Sequence, residues 1–110
     1  MLLVIKKRAS KGKIEKMAQD FDGYIKLVVD VEREILAGGE KRRFEGEQKL
    51  LQQEGSKQEN LWGGGLDLET KGIDCDSIIN LRPNQGNSSR EILSPEIRKK
   101  FVKIVKKLLL

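Results

Sequence analysis

Tyr24-Ile-Lys-Leu-Val-Val-Asp-Val-Glu-Arg-Glu-Ile-Leu-Ala-Gly-Gly39 is the stretch on which the fold turns. Its first half is rich in β-branched and aromatic residues, and alternation sets Ile25, Leu27, Val29 and Val31 on one face of a strand. Val28 falls on the other face, which calls for cover on both sides. A tight turn near Glu32 and Arg33 returns the chain through Ile35, Leu36 and Ala37 into Gly38-Gly39. Two antiparallel strands are therefore expected at the centre of the fold.

Upstream, Leu2 to Ile5 is a short apolar run, read as a buried strand. Ser10 offers a helix N-cap, and Ile14, Met17, Ala18 and Phe21 recur at helical spacing before Gly23, a natural helix stop. An amphipathic helix over about residues 11–22 follows from this. Downstream, Glu45 to Glu54 is a run of good helix formers around Leu50 and Leu51, and a short helix ending at Gly55 is favoured.

A second hairpin is expected with Leu68 paired to Ile73 and Gly72 at a turn position of positive φ. That register gathers Trp62, Gly64, Leu66 and Leu68 with Ile73, Cys75, Ser77, Ile79 and Leu81 on one face, and a one-residue slip would undo it. Ser94-Pro95-Glu96 then opens the last helix with cap, proline and carboxylate in order. Ile97, Phe101, Ile104, Val105 and Leu108 form its inward stripe. The expected architecture is α+β: one compact domain over residues 1–110, with a mainly antiparallel sheet and the N-terminal and C-terminal helices packed on one face.

Composition narrows the chemistry. The 110 residues suit one domain with one core. A net charge of +5 and a pI near 9.4 permit nucleic acid or another anionic partner without requiring one. The chain has no histidine, which removes a Ser-His-Asp triad, a Cys-His pair and every His-ligated metal. Its one cysteine, Cys75, rules out an internal disulfide and a Cys-rich zinc site, and is read as an inert core thiol. No segment reads as a signal peptide or membrane span, so a cytoplasmic location is expected. Gly63-Gly64-Gly65 lacks the lysine and serine of a phosphate loop and reads as a site of close packing. No cofactor is implied.

Several segments carry a resemblance: Val28 to Arg33, Ala37 to Glu40, Gly-Ser-Lys-Gln-Glu-Asn-Leu-Trp-Gly (Gly55 to Gly63) and Ile-Asn-Leu-Arg-Pro-Asn-Gln-Gly-Asn-Ser-Ser (Ile79 to Ser89). In this order they resemble a family of small prokaryotic proteins known only as a domain of unknown function. The resemblance covers nearly the whole chain and implies a compact single-domain protein, with no activity attached. Where family members carry Gly-Glu-Leu-His-Ala-Asp, this chain has Gly39-Glu40-Lys41-Arg42-Arg43-Phe44, so no role for that histidine carries over. Glu34 also stands where a glycine often ends the first hairpin turn.

The polar loop from Arg82 to Arg90 is the first binding candidate. Arg82 and Arg90 suit a carboxylate or phosphate, and Asn84, Gln85, Asn87, Ser88 and Ser89 supply donors and acceptors around Gly86. The same residues also suit a loop whose side chains satisfy its own backbone. Ser56, Lys57, Gln58 and Asn60 crowd polar groups before Trp62, and the hairpin register brings Trp62 opposite Ile79, near Arg82. That register also sets Asp67 opposite Asp74 with Asp76 close by, a weak candidate for a hard cation. On the C-terminal helix, Arg98, Lys99, Lys100, Lys103, Lys106 and Lys107 form a basic back to an apolar stripe, and Leu108 to Leu110 are candidates for a subunit contact.

These features suggest a non-enzymatic binding module for an anionic or polar ligand: nucleic acid, a nucleotide or an acidic protein surface, held by the Arg82–Arg90 loop. The alternatives are a small histidine-independent hydrolase or nuclease of the toxin type, and a structural homo-oligomer.

Overall fold

The structure is a computed structural model that describes residues 1–42 and 44–110. The central hairpin forms as the alternation requires. Strand β2 (Tyr24–Asp30) pairs with β3 (Ile35–Gly38) in the register Val28↔Ala37 and Val29↔Leu36. Asp30 holds the turn by accepting the Glu32 and Arg33 N–H groups on Oδ1, both at 3.0 Å. Glu34, at the position where a glycine often ends this turn, takes a left-handed φ of +57°.

Around this hairpin lie β1 (Leu3–Ile5), β4 (Leu61–Asp67) and β5 (Ile73–Asp74), giving an antiparallel sheet in the order β1-β3-β2-β4-β5. On one face Ile25, Leu27, Val29, Leu36, Trp62 and Leu66 pack against α1 (Lys11–Met17) and α3 (Pro95–Leu109), mainly through Met17, Phe101, Ile104 and Leu108. The two terminal helices thus share one face, as expected. The opposite face, with Val28, Ile35, Ala37 and Leu61, is covered by Leu50 of α2 (Glu45–Gln53). This is the second cover that Val28 called for. Among the described residues, no helix is long and apolar enough to cross a membrane.

Three expectations need correction. The first helix ends at Met17, and Gln19–Phe21 makes a 3₁₀ turn before Asp22 and Gly23 both take positive φ. The Gly23 N–H donates to the Ala18 carbonyl at 3.1 Å, closing the reversal that aims the chain into β2.

The second hairpin is displaced by two residues, pairing Leu66 with Ile73 and Gly65 with Asp74. Asp67 imposes the longer turn: its Oδ1 accepts the Glu69 N–H at 2.9 Å and its main chain closes on Gly72 and Lys71. Lys71 adopts positive φ there, where Gly72 was expected. A two-residue slip keeps every side chain on its own face, so Trp62, Leu66, Ile73 and Cys75 still share the core. The opposite residues change, however: Asp74 lies across from Gly65, not Asp67, and β5 ends before it reaches Trp62, so Ile79 is not the partner of that ring.

The expected long second strand stops at Asp74, and Ile78–Asn80 is a 3₁₀ turn capped by Ser77. At the C-terminus, Ser94 accepts the Ile97 N–H at 3.3 Å, the foreseen cap. Leu108 and Leu109 are buried in the chain's own core, and Leu110 packs half-buried against it.

Candidate functional site

The short β5 leaves an edge to be satisfied. Odd-numbered residues of β4 turn their main-chain groups away from β2. Asp67 and Gly65 meet the turn and β5, but among the described residues Gly63 and Leu61 have no strand on that side. Buried main-chain groups need partners, and side chains of the following loop provide them. Asn80 accepts the Gly63 N–H on Oδ1 at 2.8 Å and donates through Nδ2 to the Gly63 carbonyl at 2.9 Å. Its carboxamide takes the place of a peptide group in the absent strand. The same Nδ2 is shared with the carbonyls of Cys75 and Arg90.

Arg82 completes the edge. Its guanidinium donates to the carbonyls of Leu61, Gln58 (3.0 Å) and Ile79 (2.8 Å), and stacks 4.7 Å from the centre of the Trp62 ring. Only 7% of Arg82 is exposed. Asn87, also buried, donates to the carbonyls of Asn80, Ser89 and Glu91 and accepts the Leu93 N–H.

The loop therefore spends its two best ligand-binding side chains on its own frame. Trp62 is buried under Arg82, and Ser56 is buried with its hydroxyl unpartnered among the described residues. Lys57, Gln58, Asn84, Gln85, Ser88 and Arg90 are exposed, and Asn60 is half-buried. The two polar segments do meet, through Arg82 on Gln58 and the Gln85 amide on the Glu59 carbonyl at 3.3 Å. Their meeting owes nothing to the strand register from which it was inferred.

Beside this frame lies a polar cleft of about 550 Å³. Tyr24 and Lys26 of β2, Glu40, Asp74, Ser77 and Arg90 line it. The glycine run of β4 makes it possible. A Cβ on Gly65 would overlap the Tyr24 hydroxyl, and one on Gly63 would lie 2.6 Å from the Ser77 side chain. Without side chains there, Tyr24 and Ser77 lie flat across β4, which is the close packing foreseen for Gly63-Gly64-Gly65.

The cleft is electrostatically uneven. Tyr24 donates its hydroxyl to Asp74 Oδ2 at 2.7 Å, and burial together with that carboxylate pushes its pKa up. Asp76 pairs with Arg90 at 3.2 Å on the exposed rim. Glu40 is only 5% exposed, and burial pushes its carboxyl up to about 7, against the opposing pull of the Gly46 N–H and of Lys26. Its Oε2 accepts that Gly46 N–H at 2.7 Å. Its Oε1 has no donor among the described residues, and the residue lines the cleft. Glu40, Asp74, Asp76 and Glu91 outnumber Lys26 and Arg90, so the cleft carries an excess of carboxylates.

A family model for a protein of unknown function, DUF5674, matches residues 3–108. The chain belongs to the DUF5674 family. No curated protein and no solved structure matches it. In this DUF5674 member the matched span runs from β1 almost to the end of α3, so it contains both the loop frame and the cleft.

Three of the residues expected from sequence, Asp74, Asp76 and Arg90, line this cleft. The acids were singled out for a cation and Arg90 for an anion, but they divide into a tyrosine acceptor and an exposed ion pair. Asp67 belongs to the turn. Among the described residues, no group of three or more acidic or cysteine side chains is arranged to hold a metal ion. Tyr24, Lys26, Glu40, Ser77 and Glu91 were missed as site residues. The glycine run was the available signal, because a strand that lacks side chains must receive them from elsewhere.

Proposed function

We propose that the protein is a non-enzymatic binding module whose site is the cleft between β2, Glu40 and the Asp74–Ser77 segment, and that its ligand is a small polar molecule presenting an ammonium or N–H group. The observation that carries this reading is the Glu40 carboxyl, only 5% exposed yet lining the cleft, with the Gly46 N–H its one hydrogen-bond donor among the described residues. A concave pocket with a few converging polar groups is the usual form of a small-ligand site. The carboxylate excess favours a cationic head, with Lys26 and Arg90 placed for an acceptor elsewhere on the same molecule. The Arg82–Arg90 loop takes part through Arg90, while Arg82 and Asn87 hold the wall in place. Binding is preferred to catalysis because Tyr24 donates its hydroxyl to Asp74, and among the described residues no base accepts the Ser77 hydroxyl, which only receives the Ile79 N–H.

The test is a panel of small amines, amino acids, nucleotides and inorganic phosphate, followed by amide chemical shifts. Amines or amino acids should shift Tyr24, Lys26 and Ser77, and Glu40→Gln should weaken them by roughly tenfold. Shifts produced by phosphates alone, or by no compound at all, would sink the reading.

One observation favours a second reading, a histidine-independent hydrolase: the Glu40 carboxyl titrates near neutrality, where a general base is most effective. Turnover of ester or phosphodiester substrates that disappears in Glu40→Gln would establish it; binding without turnover would remove it.

A further inference from the structure

We infer that the outer face of α3 is a docking groove for an acidic, amphipathic segment of another protein. The groove, about 790 Å³ and open to solvent, has an apolar floor of Leu93, Pro95 and Val102 between Arg98, Lys99, Lys103 and Lys106. Among the described residues, none of these four cations has a carboxylate within 4.0 Å, although α3 does form such a pair elsewhere, between Lys107 and Glu34. Leu93 is 49% exposed, and its presentation is fixed. Its main-chain N–H donates to Asn87 Oδ1 at 2.9 Å, so the loop frame holds the leucine at the groove's end.

The occupant follows from the two chemistries together. An uncompensated cationic rim calls for carboxylates or phosphates. The apolar floor, with no aromatic ring and no donor or acceptor suited to a base edge, calls for aliphatic side chains. A nucleic acid would satisfy the rim and leave the floor in water. A second copy related by a two-fold axis would set cations against cations. An acidic segment with apolar residues at helical spacing satisfies both. From Arg98 to Lys106 the rim runs roughly 12 Å, about two helical turns of such a partner. A contact this short belongs to the transient class.

Four probes test this on the full chain: a labelled helical peptide of glutamate and leucine, about 15 residues long with leucines three and four apart; the same peptide with every glutamate replaced by glutamine; a DNA duplex; and vesicles of phosphatidylglycerol in phosphatidylcholine. The acidic peptide should shift the amides of Leu93, Val102 and Lys103. Lys99→Glu combined with Lys103→Glu should weaken it by about tenfold or more, and Leu93→Ser by roughly fivefold. All three positions are exposed or rim positions, and an unchanged circular-dichroism spectrum checks that the variants stay folded. Equal affinity for the glutamine peptide, affinity unmoved by these substitutions, or no peptide binding would overturn the proposal. So would tighter binding of DNA or vesicles at the same residues.

Discussion

Replacing Asn80 by alanine removes the side chain that stands in for a missing strand. Asn80 is fully buried and serves Gly63 on both its N–H and its carbonyl, with two further carbonyls from Cys75 and Arg90. The Nδ2 group has two protons for its three carbonyls, so the contacts amount to about three full hydrogen bonds; at about 0.5–1.5 kcal/mol net for each, the direct loss is roughly 1.5–4.5 kcal/mol. Two effects act on that range. The Gly63 groups face no other strand, so their lost solvation goes uncompensated and pushes the figure up. A water molecule entering the vacated polar space restores part of the bonding and pulls it down.

A loss of about 4 kcal/mol is expected, a large share of the roughly 5–15 kcal/mol that holds a domain together. For a chain of this length it should lower Tm by about 15–20 °C. Thermal unfolding followed by circular dichroism measures the shift, and urea titration should show a lower midpoint at unchanged slope. Asn80→Asp sharpens the test. It keeps the acceptor for the Gly63 N–H but turns an oxygen toward three carbonyls, so at pH 7 it should be at least as damaging as alanine. If Asn80→Ala stays within about 1 kcal/mol of the parent, the carboxamide is not the partner of this edge and the reasoning fails.

Arg82→Met keeps an apolar stem beside Trp62 but strands the carbonyls of Leu61, Gln58 and Ile79; a loss of about 2–3 kcal/mol in urea unfolding is expected, and a neutral result would refute the bracing role. The Glu40 carboxyl stands near 7 in the folded protein against 4.5 ordinarily, so between those values the folded form binds more protons than the unfolded one. Stability should accordingly fall, by an amount on the order of 3 kcal/mol, as pH rises from about 4.5 through about 7, and Glu40→Gln should flatten that slope and gain stability at pH 8. A parallel pair of pH–stability curves would contradict this. Glu34→Gly relieves a left-handed residue in the central turn and gives up only an exposed ion pair with Lys107, so a gain of about 1 kcal/mol is expected in thermal unfolding. Gly65→Ala should displace the Tyr24 hydroxyl from Asp74, visible as a fall in the tyrosine's pKa toward its ordinary value in an absorbance titration.

The features legible in the sequence were those whose cause lies within a few residues. Alternation from Tyr24 to Val31 marked a strand because successive side chains point to opposite faces. Ser94-Pro95-Glu96 marked a helix start because the orphan N–H groups of a first turn need a nearby acceptor. The second hairpin failed in register and survived in face, since Asp67 lengthened the turn by a mechanism that periodicity does not carry.

The loop from Arg82 to Arg90 was recognisable as unusual, but its polar residues suited a ligand and a backbone equally well. Their assignment depended on carbonyls at Gln58 and Leu61, more than twenty residues away, and on a strand that stops at Asp74. Nothing near Glu40 in the chain marks it out either. It becomes a buried carboxyl only when α2 folds back and offers the Gly46 N–H.

The sequence by itself thus determined the α+β class, the central hairpin and the terminal helices on one face, all consequences of local periodicity and capping. Tertiary structure alone decided that Arg82 and Asn87 brace a sheet edge, that a glycine-bare strand receives Tyr24 and Ser77, and that Glu40 faces the resulting cleft. The physical reason is that hydrogen-bond satisfaction and burial are settled between groups distant along the chain, so the same polar residues acquire their roles only when the fold fixes their partners.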